Sequence, residues 1–145
     1  MIYTELTNKA MRLAYEAHKG QTDKSGQPYV FHPYHLAEQM KDEITVCVAL
    51  LHDVIEDTSV TYEDLSQEFP REVMEALKLL THNKGEDYLS YVMEIKKNPV
   101  AKAVKLADIA HNSDETRFAG SPSITPEKIE YYREKYARAR AILEE

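Results

Sequence analysis

An uninterrupted apolar run, Val46-Cys47-Val48-Ala49-Leu50-Leu51, ends abruptly in His52-Asp53, and Val54-Ile55-Glu56-Asp57-Thr58 follows at once. A helix that is apolar all round belongs inside a domain, not on its surface. The six residues from His52 to Asp57 set one imidazole and three carboxylates directly against it. Burying that much ionisable chemistry is costly unless something compensates it. A divalent cation is the simplest compensation, so the stretch reads as half of a metal site whose other ligands lie elsewhere in the chain.

The remaining sequence follows the helical period almost throughout. Leu6, Ala10, Leu13, Ala14 and Ala17 share one helix face and predict a first helix ending near His18. Residues 20 to 28 form a loop, with Ser25-Gly26-Gln27-Pro28 as turn chemistry. Pro33 is placed to open a second helix with His32 as its N-cap, carrying Leu36, Ala37 and Met40. The third helix is predicted from about Ile44 to Val54 and is expected at the centre of a bundle. Thr61-Tyr62-Glu63-Asp64 resembles a capping box that starts a short helix, ended by Pro70. Val73, Ala76, Leu77 and Leu80 mark the next helix, and Tyr88, Tyr91, Val92 and Ile95 another that stops at Asn98-Pro99. Val100, Ala103, Val104, Leu106, Ala107 and Ala110 give a strongly apolar helix interrupted by Asp108. After a loop at Gly120-Ser121-Pro122-Ser123, Thr125-Pro126-Glu127 has the order of N-cap, first-position proline and first-turn acid for a last helix. No repeat, strand or linker interrupts this pattern. The expected fold is all-α, a single helical bundle over residues 1–145.

Composition narrows the function classes. Only 4 Gly and 6 Pro leave little room for a turn-rich β fold. A net charge of -7 argues against a DNA or RNA binder, because no phosphate backbone is drawn to such a surface. A small phosphorylated substrate remains open, since a metal and a few local cations can hold it. The one cysteine, Cys47, lies inside the apolar run and reads as a buried hydrophobe rather than a nucleophile. The opening Met1-Ile2-Tyr3-Thr4-Glu5 does not have the pattern of a signal peptide, and no apolar segment is long enough for a membrane span. The expected location is the cytoplasm, with no membrane partner. A homodimer is left open.

Asp108 is the leading further ligand, because a carboxylate in an apolar helix must be paired, capping or metal-bound; pairing with Lys105 or Lys102 is the alternative. His32 is the fourth candidate, the alternative being a surface turn residue. Two imidazoles and two carboxylates suit Mn, Fe, Co or Zn better than Ca or Mg. His52 and Asp53 lie about 100° apart around a helix, so they share a metal only where the helix opens. Glu56 and Asp57 come four residues after His52 and Asp53; if the helix continues one turn, they bring a second acidic pair towards the metal, able to orient or deprotonate water. The alternative is an acidic helix end followed by a turn, which the helix macrodipole disfavours.

Together these residues resemble a known family. His32-Pro33, Leu51-His52-Asp53-Val54-Ile55-Glu56-Asp57-Thr58, and Lys105-Leu106-Ala107-Asp108 with Asn112 are similar to the HD-domain metal-dependent phosphohydrolases. Within these the chain resembles the alarmone hydrolase domain of RelA/SpoT homologues and its small stand-alone form. Ala17-His18-Lys19-Gly20-Gln21, Lys24-Ser25-Gly26 and Pro28-Tyr29 continue the match, from about residue 13 to 113. The resemblance implies an all-α enzyme with one Mn²⁺, for which Zn²⁺, Fe²⁺ and Co²⁺ are alternatives. It places His32, His52, Asp53 and Asp108 on metal-ligand positions and Glu56 and Asp57 on the pair that positions water. It assigns Lys24, Ser25, Asn112 and Tyr132 to the substrate. The implied reaction is removal of the 3′-pyrophosphate of guanosine tetra- or pentaphosphate by metal-activated water. The length leaves no room for a synthetase or regulatory region, so a bifunctional enzyme is not expected.

The chain also departs from that pattern. Many relatives have Arg-Lys where it has Asp23-Lys24, and that arginine stacks on the guanine. Ile109 stands where Arg or Lys often follows the Lys-Leu-Ala-Asp motif, and Ser113-Asp114-Glu115 replaces a more neutral or basic stretch. Each change removes positive charge from the expected substrate side. Three readings therefore stand: the alarmone hydrolase; an HD-type phosphatase acting on another nucleotide or on the 2′-phosphate of NADPH; and a nucleotide sensor without hydrolysis, against which the full set of six metal and acidic residues argues. His18 is expected to order its loop, His35 to be surface or structural, His82 to close a helix, and His111 to support the metal site or be exposed. Tyr88, Tyr91, Tyr132 and Tyr136 read as packing residues, and Arg133-Glu134-Lys135 with Arg138 and Arg140 as a solvated face.

Overall fold

Each apolar stripe becomes a helix in the computed structural model, which describes residues 1–121 and 123–145. Pro122, expected in a loop, lies outside the described residues. Among the described residues the order is α1 (Glu5–Ala17), α2 (Phe31–Glu38), α3 (Glu43–Leu51), α4 (Val54–Asp57), α5 (Tyr62–Ser66), α6 (Arg71–Leu80), α7 (Tyr88–Lys96), α8 (Pro99–Asn112) and α9 (Pro126–Glu144), with a 3-10 turn at Glu115–Phe118 between the last two. No strand is present among them beyond one isolated bridge, Thr22 to Pro28, which pinches the loop after α1. Gly26 turns inside that pinch with φ 82°, a conformation that L side chains rarely adopt. No helix is long and apolar enough to cross a membrane.

α3 is the axis. It is buried at every position from Thr45 to Leu51 and packs against α1, α2, α6 and α8. Cys47 is fully enclosed there, and burial pushes its thiol pKa up to about 12, so it is a packing residue and not a nucleophile. α8 lies along α3 and carries α7 and α9 on its other sides. The expected caps at the outer helices are made: Thr61 and Asp64 bond reciprocally, and Thr125 accepts from Lys128 N–H ahead of Pro126.

Two boundaries differ from expectation. α2 begins at Phe31, so His32 is its second residue and Pro33 its third. The turn is already wound before the proline, with His32 N–H bonded to Tyr29 O and Tyr34 N–H to Val30 O. Pro33 is tolerated because first-turn N–H groups have no intrahelical acceptor. α3 ends at Leu51, not Val54. Asp53 takes φ -105°, ψ 0°, outside the helical range, and the chain restarts as α4. The helix thus opens at the charged residues.

Candidate metal centre

Three helices meet at one point. α3 delivers His52 and the break delivers Asp53; α2 delivers His32, and the inner face of α8 delivers Asp108. His52 Nε2 lies 2.9 Å from Asp53 Oδ2 and 3.7 Å from Asp108 Oδ1. His32 Nε2 lies 2.9 Å from Asp108 Oδ1 and 4.0 Å from Asp53 Oδ2. Ligand atoms of His32, His52 and Asp53 all fall within 4.8 Å of one another. The four predicted residues therefore converge, with His32, His52 and Asp108 buried and Asp53 half-buried.

The hydrogen bonds around this point fix which atoms face it. His52 Nδ1 is 2.6 Å from Ala49 O; a carbonyl only accepts, so Nδ1 carries a proton and Nε2 is the nitrogen turned to the cluster. Nε2 is buried and has no aligned hydrogen-bond partner, although Asp53 Oδ2 is close. Close approach without alignment is what two ligands of one centre show. Asp108 answers the question its sequence left open. Lys105 Nζ takes its Oδ2 at 2.8 Å, while Oδ1 is left to the imidazoles and to Asn112 Nδ2 at 3.0 Å. The alternatives of pairing and site membership are both realised, one by each oxygen.

The electrostatics ask for one more positive charge. Burial opposes protonation of His52, but the Asp53 and Asp108 carboxylates outweigh it and raise its pKa well above the usual value. Burial equally opposes ionisation of Asp108, yet Lys105 and the two imidazoles pull its pKa well down. A divalent cation at the same point supplies the charge that the carboxylates otherwise draw as a proton. The mixed nitrogen and oxygen donors, the orphaned His52 Nε2 and the fixed tautomer all fit such an ion.

α4 is a separate single turn, yet it does what a continued α3 was expected to do. Ligand atoms of Asp53, Glu56 and Asp57 lie within 4.8 Å of one another, so Asp53 belongs both to the buried cluster and to this acidic edge. Glu56 Oε1 accepts from His82 N–H at 2.7 Å, which anchors the carboxylate across the cleft. Burial, reinforced by the Asp53 charge, raises the pKa of both Glu56 and Asp57. These groups border a cleft of about 430 Å³.

A second recess of about 310 Å³ adjoins the cleft and shares Tyr29, His32, Asn112 and Tyr136 with it. It gathers all four predicted substrate residues. Lys24 Nζ sits 3.7 Å from the centre of the Tyr132 ring and also bonds its hydroxyl. Ser25 Oγ donates to Arg117 O. Asn112 links the recess to the cluster, its Nδ2 on Asp108 and its Oδ1 3.4 Å from Arg117 Nη1.

A family model described as the HD domain matches residues 10–111. The chain belongs to the HD-domain family. This HD domain is 39% identical over 123 residues to the bifunctional (p)ppGpp synthase/hydrolase SpoT of Escherichia coli K12, a match covering 72% of the chain and 18% of that protein. It is 31% identical over 122 residues to a guanosine-3′,5′-bis(diphosphate) 3′-pyrophosphohydrolase of Aquifex aeolicus, covering 76% of the chain and 18% of the relative. The chain thus spans about a fifth of the length of these curated relatives. Among solved structures it superposes with a TM-score of 0.86 on a metazoan ortholog of SpoT described as hydrolysing ppGpp, at 24% identity, covering 99% of the chain and 88% of that structure. That likeness establishes the all-α HD fold.

The HD domain also uses residues beyond those predicted for the site. Tyr29 donates its hydroxyl to Asp53 Oδ2 and stands over His32, with ring centres 5.8 Å apart; its spacing of three residues from His32 was the available signal. His111 meets His32 edge to edge, the rings nearly coplanar with 2.7 Å between their Nδ1 atoms, so it supports a cluster residue rather than standing exposed. His35 is exposed but stacks on His111 at 4.1 Å. His18 does order its loop: it bonds Gln21, whose amide reaches Asp57 O at 2.9 Å. Tyr88 and Tyr136 pack as expected and also line the cleft. Lys135 departs from expectation: it is partly buried and faces the cleft instead of solvent, because α9 crosses α7 and α8 there.

Proposed function

We propose that this HD domain is a metal-dependent phosphohydrolase that removes the 3′-pyrophosphate of guanosine tetra- or pentaphosphate. The observation that carries the reading is the shared carboxylate of Asp53, which joins the buried cluster of His32, His52 and Asp108 to the acidic edge of Glu56 and Asp57. The names of the curated relatives, and the ppGpp hydrolysis described for the metazoan SpoT ortholog, support the substrate. His32, His52, Asp53 and Asp108 would hold the ion, for which we propose Mn²⁺. When bound, that ion polarises a phosphate oxygen and lowers the pKa of water, so no side-chain nucleophile is required.

The chain's own groups do the rest. Tyr29 and His111 hold Asp53 and His32 in place from outside the cluster. Glu56, anchored on His82 N–H, and Asp57 face the cleft as acceptors for the proton of the attacking water. Lys24 and Tyr132 flank the nucleotide, while Ser25 and Asn112 shape the recess between loop and α8. Water adds to the inner phosphorus, the ester oxygen leaves from it and takes up a proton, and pyrophosphate departs. The cytoplasm is where such a nucleotide is met.

One observation favours a second substrate on the same chemistry. Asp23 puts a carboxylate into the recess beside Lys24 and lowers the positive charge offered there, which suits a less heavily phosphorylated nucleotide than the alarmone, such as NADPH with its 2′-phosphate at the cluster. A metal-supplemented hydrolysis screen over guanosine tetraphosphate, NADPH and common nucleotides separates the two, with Asp53→Ala as control. Pyrophosphate release from the alarmone, lost in Asp53→Ala, is expected. Phosphate release from NADPH alone transfers the assignment to the second substrate, and activity untouched by Asp53→Ala overturns the metal reading.

A further inference from the structure

Two lysines face the metal cleft, and they differ in what surrounds them. Lys105 is buried and its ammonium is matched by Asp108 Oδ2 at 2.8 Å. Lys135, on α9, has its Nζ 4.4 Å from the centre of the Tyr88 ring, and the Lys105 ammonium lies 5.7 Å from the same ring. Among the described residues no carboxylate oxygen comes within 4.0 Å of the Lys135 ammonium. Burial, then the Lys105 charge, push its pKa below the usual value, and the more distant Asp108 charge does not offset them. An anion bound there would relieve that repulsion.

The other charges in the cleft say which anion fits. Asp53, Glu56, Asp57 and Asp108 all border it, so a phosphate reacting at the cluster meets carboxylates on most sides. Lys24 and Arg117 belong to the neighbouring recess, on the nucleotide side. Among the described residues, a second phosphate attached to the reacting one therefore has one lysine without a carboxylate partner to turn towards within the cleft, Lys135.

We propose that Lys135, seated over Tyr88 and backed by Lys105, binds the terminal phosphate of a pyrophosphoryl group whose inner phosphate reacts at the cluster. The site is then built for pyrophosphate esters over phosphate monoesters, which deepens the hydrolase reading above and rests on it. The leaving product is inorganic pyrophosphate, with its outer phosphate still on Lys135 when the ester oxygen departs.

The test is calorimetric titration of the Mn²⁺-loaded full chain with inorganic pyrophosphate and with orthophosphate, at fixed free Mn²⁺ so that chelation is common to every protein compared. Wild type is expected to bind pyrophosphate about tenfold more tightly than orthophosphate, since one added charge-assisted contact is worth about that much. Lys135→Gln should erase most of that preference and Lys135→Arg should retain it. Equal weakening of both anions by Lys135→Gln, or of neither, overturns the subsite. Hydrolysis of guanosine tetraphosphate is followed separately. Selective pyrophosphate binding without hydrolysis refutes the hydrolase reading and keeps the subsite. Hydrolysis that Lys135→Gln leaves unchanged, with no binding preference in wild type, keeps the enzyme and refutes the subsite.

Discussion

The cluster and the recess sit side by side, share Tyr29 and His32, and are built on different principles. The cluster rests on helix ends locked by the core: His52 follows a helix buried along its whole inner length, and Asp108 is set in α8 against it. The recess is walled by a pinched loop, a 3-10 turn and the partly buried Tyr132 and Tyr136 of α9. Moving a cluster residue disturbs the packing of the domain, whereas the recess can change its charge without touching the core. Under the proposed function, the chemistry is held by the packed core and the choice of substrate falls to loop-built walls. Asp23 lines the recess, and Asp114 and Glu115 stand at the start of the 3-10 turn beside it.

The sharpest way to break this comparison is to remove a cluster carboxylate. Asp53→Ala should lower kcat on the order of a thousandfold, about 4 kcal/mol of barrier, because it detaches the buried cluster from the acidic edge. Thermal denaturation gives an independent reading. Mn²⁺ should raise the Tm of wild type and leave Asp53→Ala unmoved, since only a folded state that binds the ion gains from it. A metal-dependent Tm shift preserved in Asp53→Ala would show that the ion sits elsewhere.

Next in size is the acidic edge. Glu56→Gln should cost about a hundredfold in kcat, within the usual range for a general base, with metal affinity retained. Burial and the Asp53 charge raise the pKa of Glu56 and Asp57, so each keeps its proton to a higher pH than an ordinary carboxyl group. A protonated carboxyl cannot accept the proton of water. The rate should therefore fall as pH drops through the raised pKa, and Glu56→Gln should flatten or displace that acid limb. An unchanged limb would remove Glu56 from proton transfer.

His111 tests the cluster from behind. His32 Nδ1 needs an acceptor if its Nε2 faces the ion, and His111 Nδ1 is 2.7 Å away. His111→Ala should weaken Mn²⁺ binding about tenfold, the lower end for loss of an outer partner, and His111→Asn should recover part of it. Equal affinities in all three proteins would make the hydrogen bond ornamental.

How much of this was legible in the sequence follows the same division. Asp108 and the His52-Asp53 pair stood out because charge inside an apolar helix is a local contradiction, visible without any contact. The stripes and caps likewise predicted the helices, since they depend on neighbours three and four residues apart. The break after Leu51 was not marked locally, because the Asp53 carboxylate meets groups distant in sequence, the Tyr29 hydroxyl from the loop before α2 and the His32 imidazole. Lys135 looked solvated for the same reason: its helix face is polar, and only the crossing of α9 over α7 and α8 turns it inward. Arg117 carried no local signal at all. Its place beside Asn112 depends on a 3-10 turn that the apolar pattern does not mark.

Asp23 is the smallest and most discriminating change. Its Oδ1 accepts from Ser25 N–H at 2.8 Å and from Gln27 N–H at 3.0 Å, so it holds the loop in shape; its Oδ2 lies 3.7 Å from Arg117 Nη2. Asparagine retains an oxygen for the two backbone donors and removes the charge. Arg117 then loses a partner and gains freedom to meet a phosphate, while no carboxylate repels one. For an anionic nucleotide, Asp23→Asn should lower KM about two- to fivefold and leave kcat unchanged, the scale of a single partly exposed ion pair. The sign matters more than the size. A fall in KM at constant kcat places substrate choice in the recess, apart from the chemistry. A matching fall in kcat would mean that the Asp23, Arg117, Asn112 and Asp108 contacts transmit the change to the cluster, and the two regions would no longer be separable.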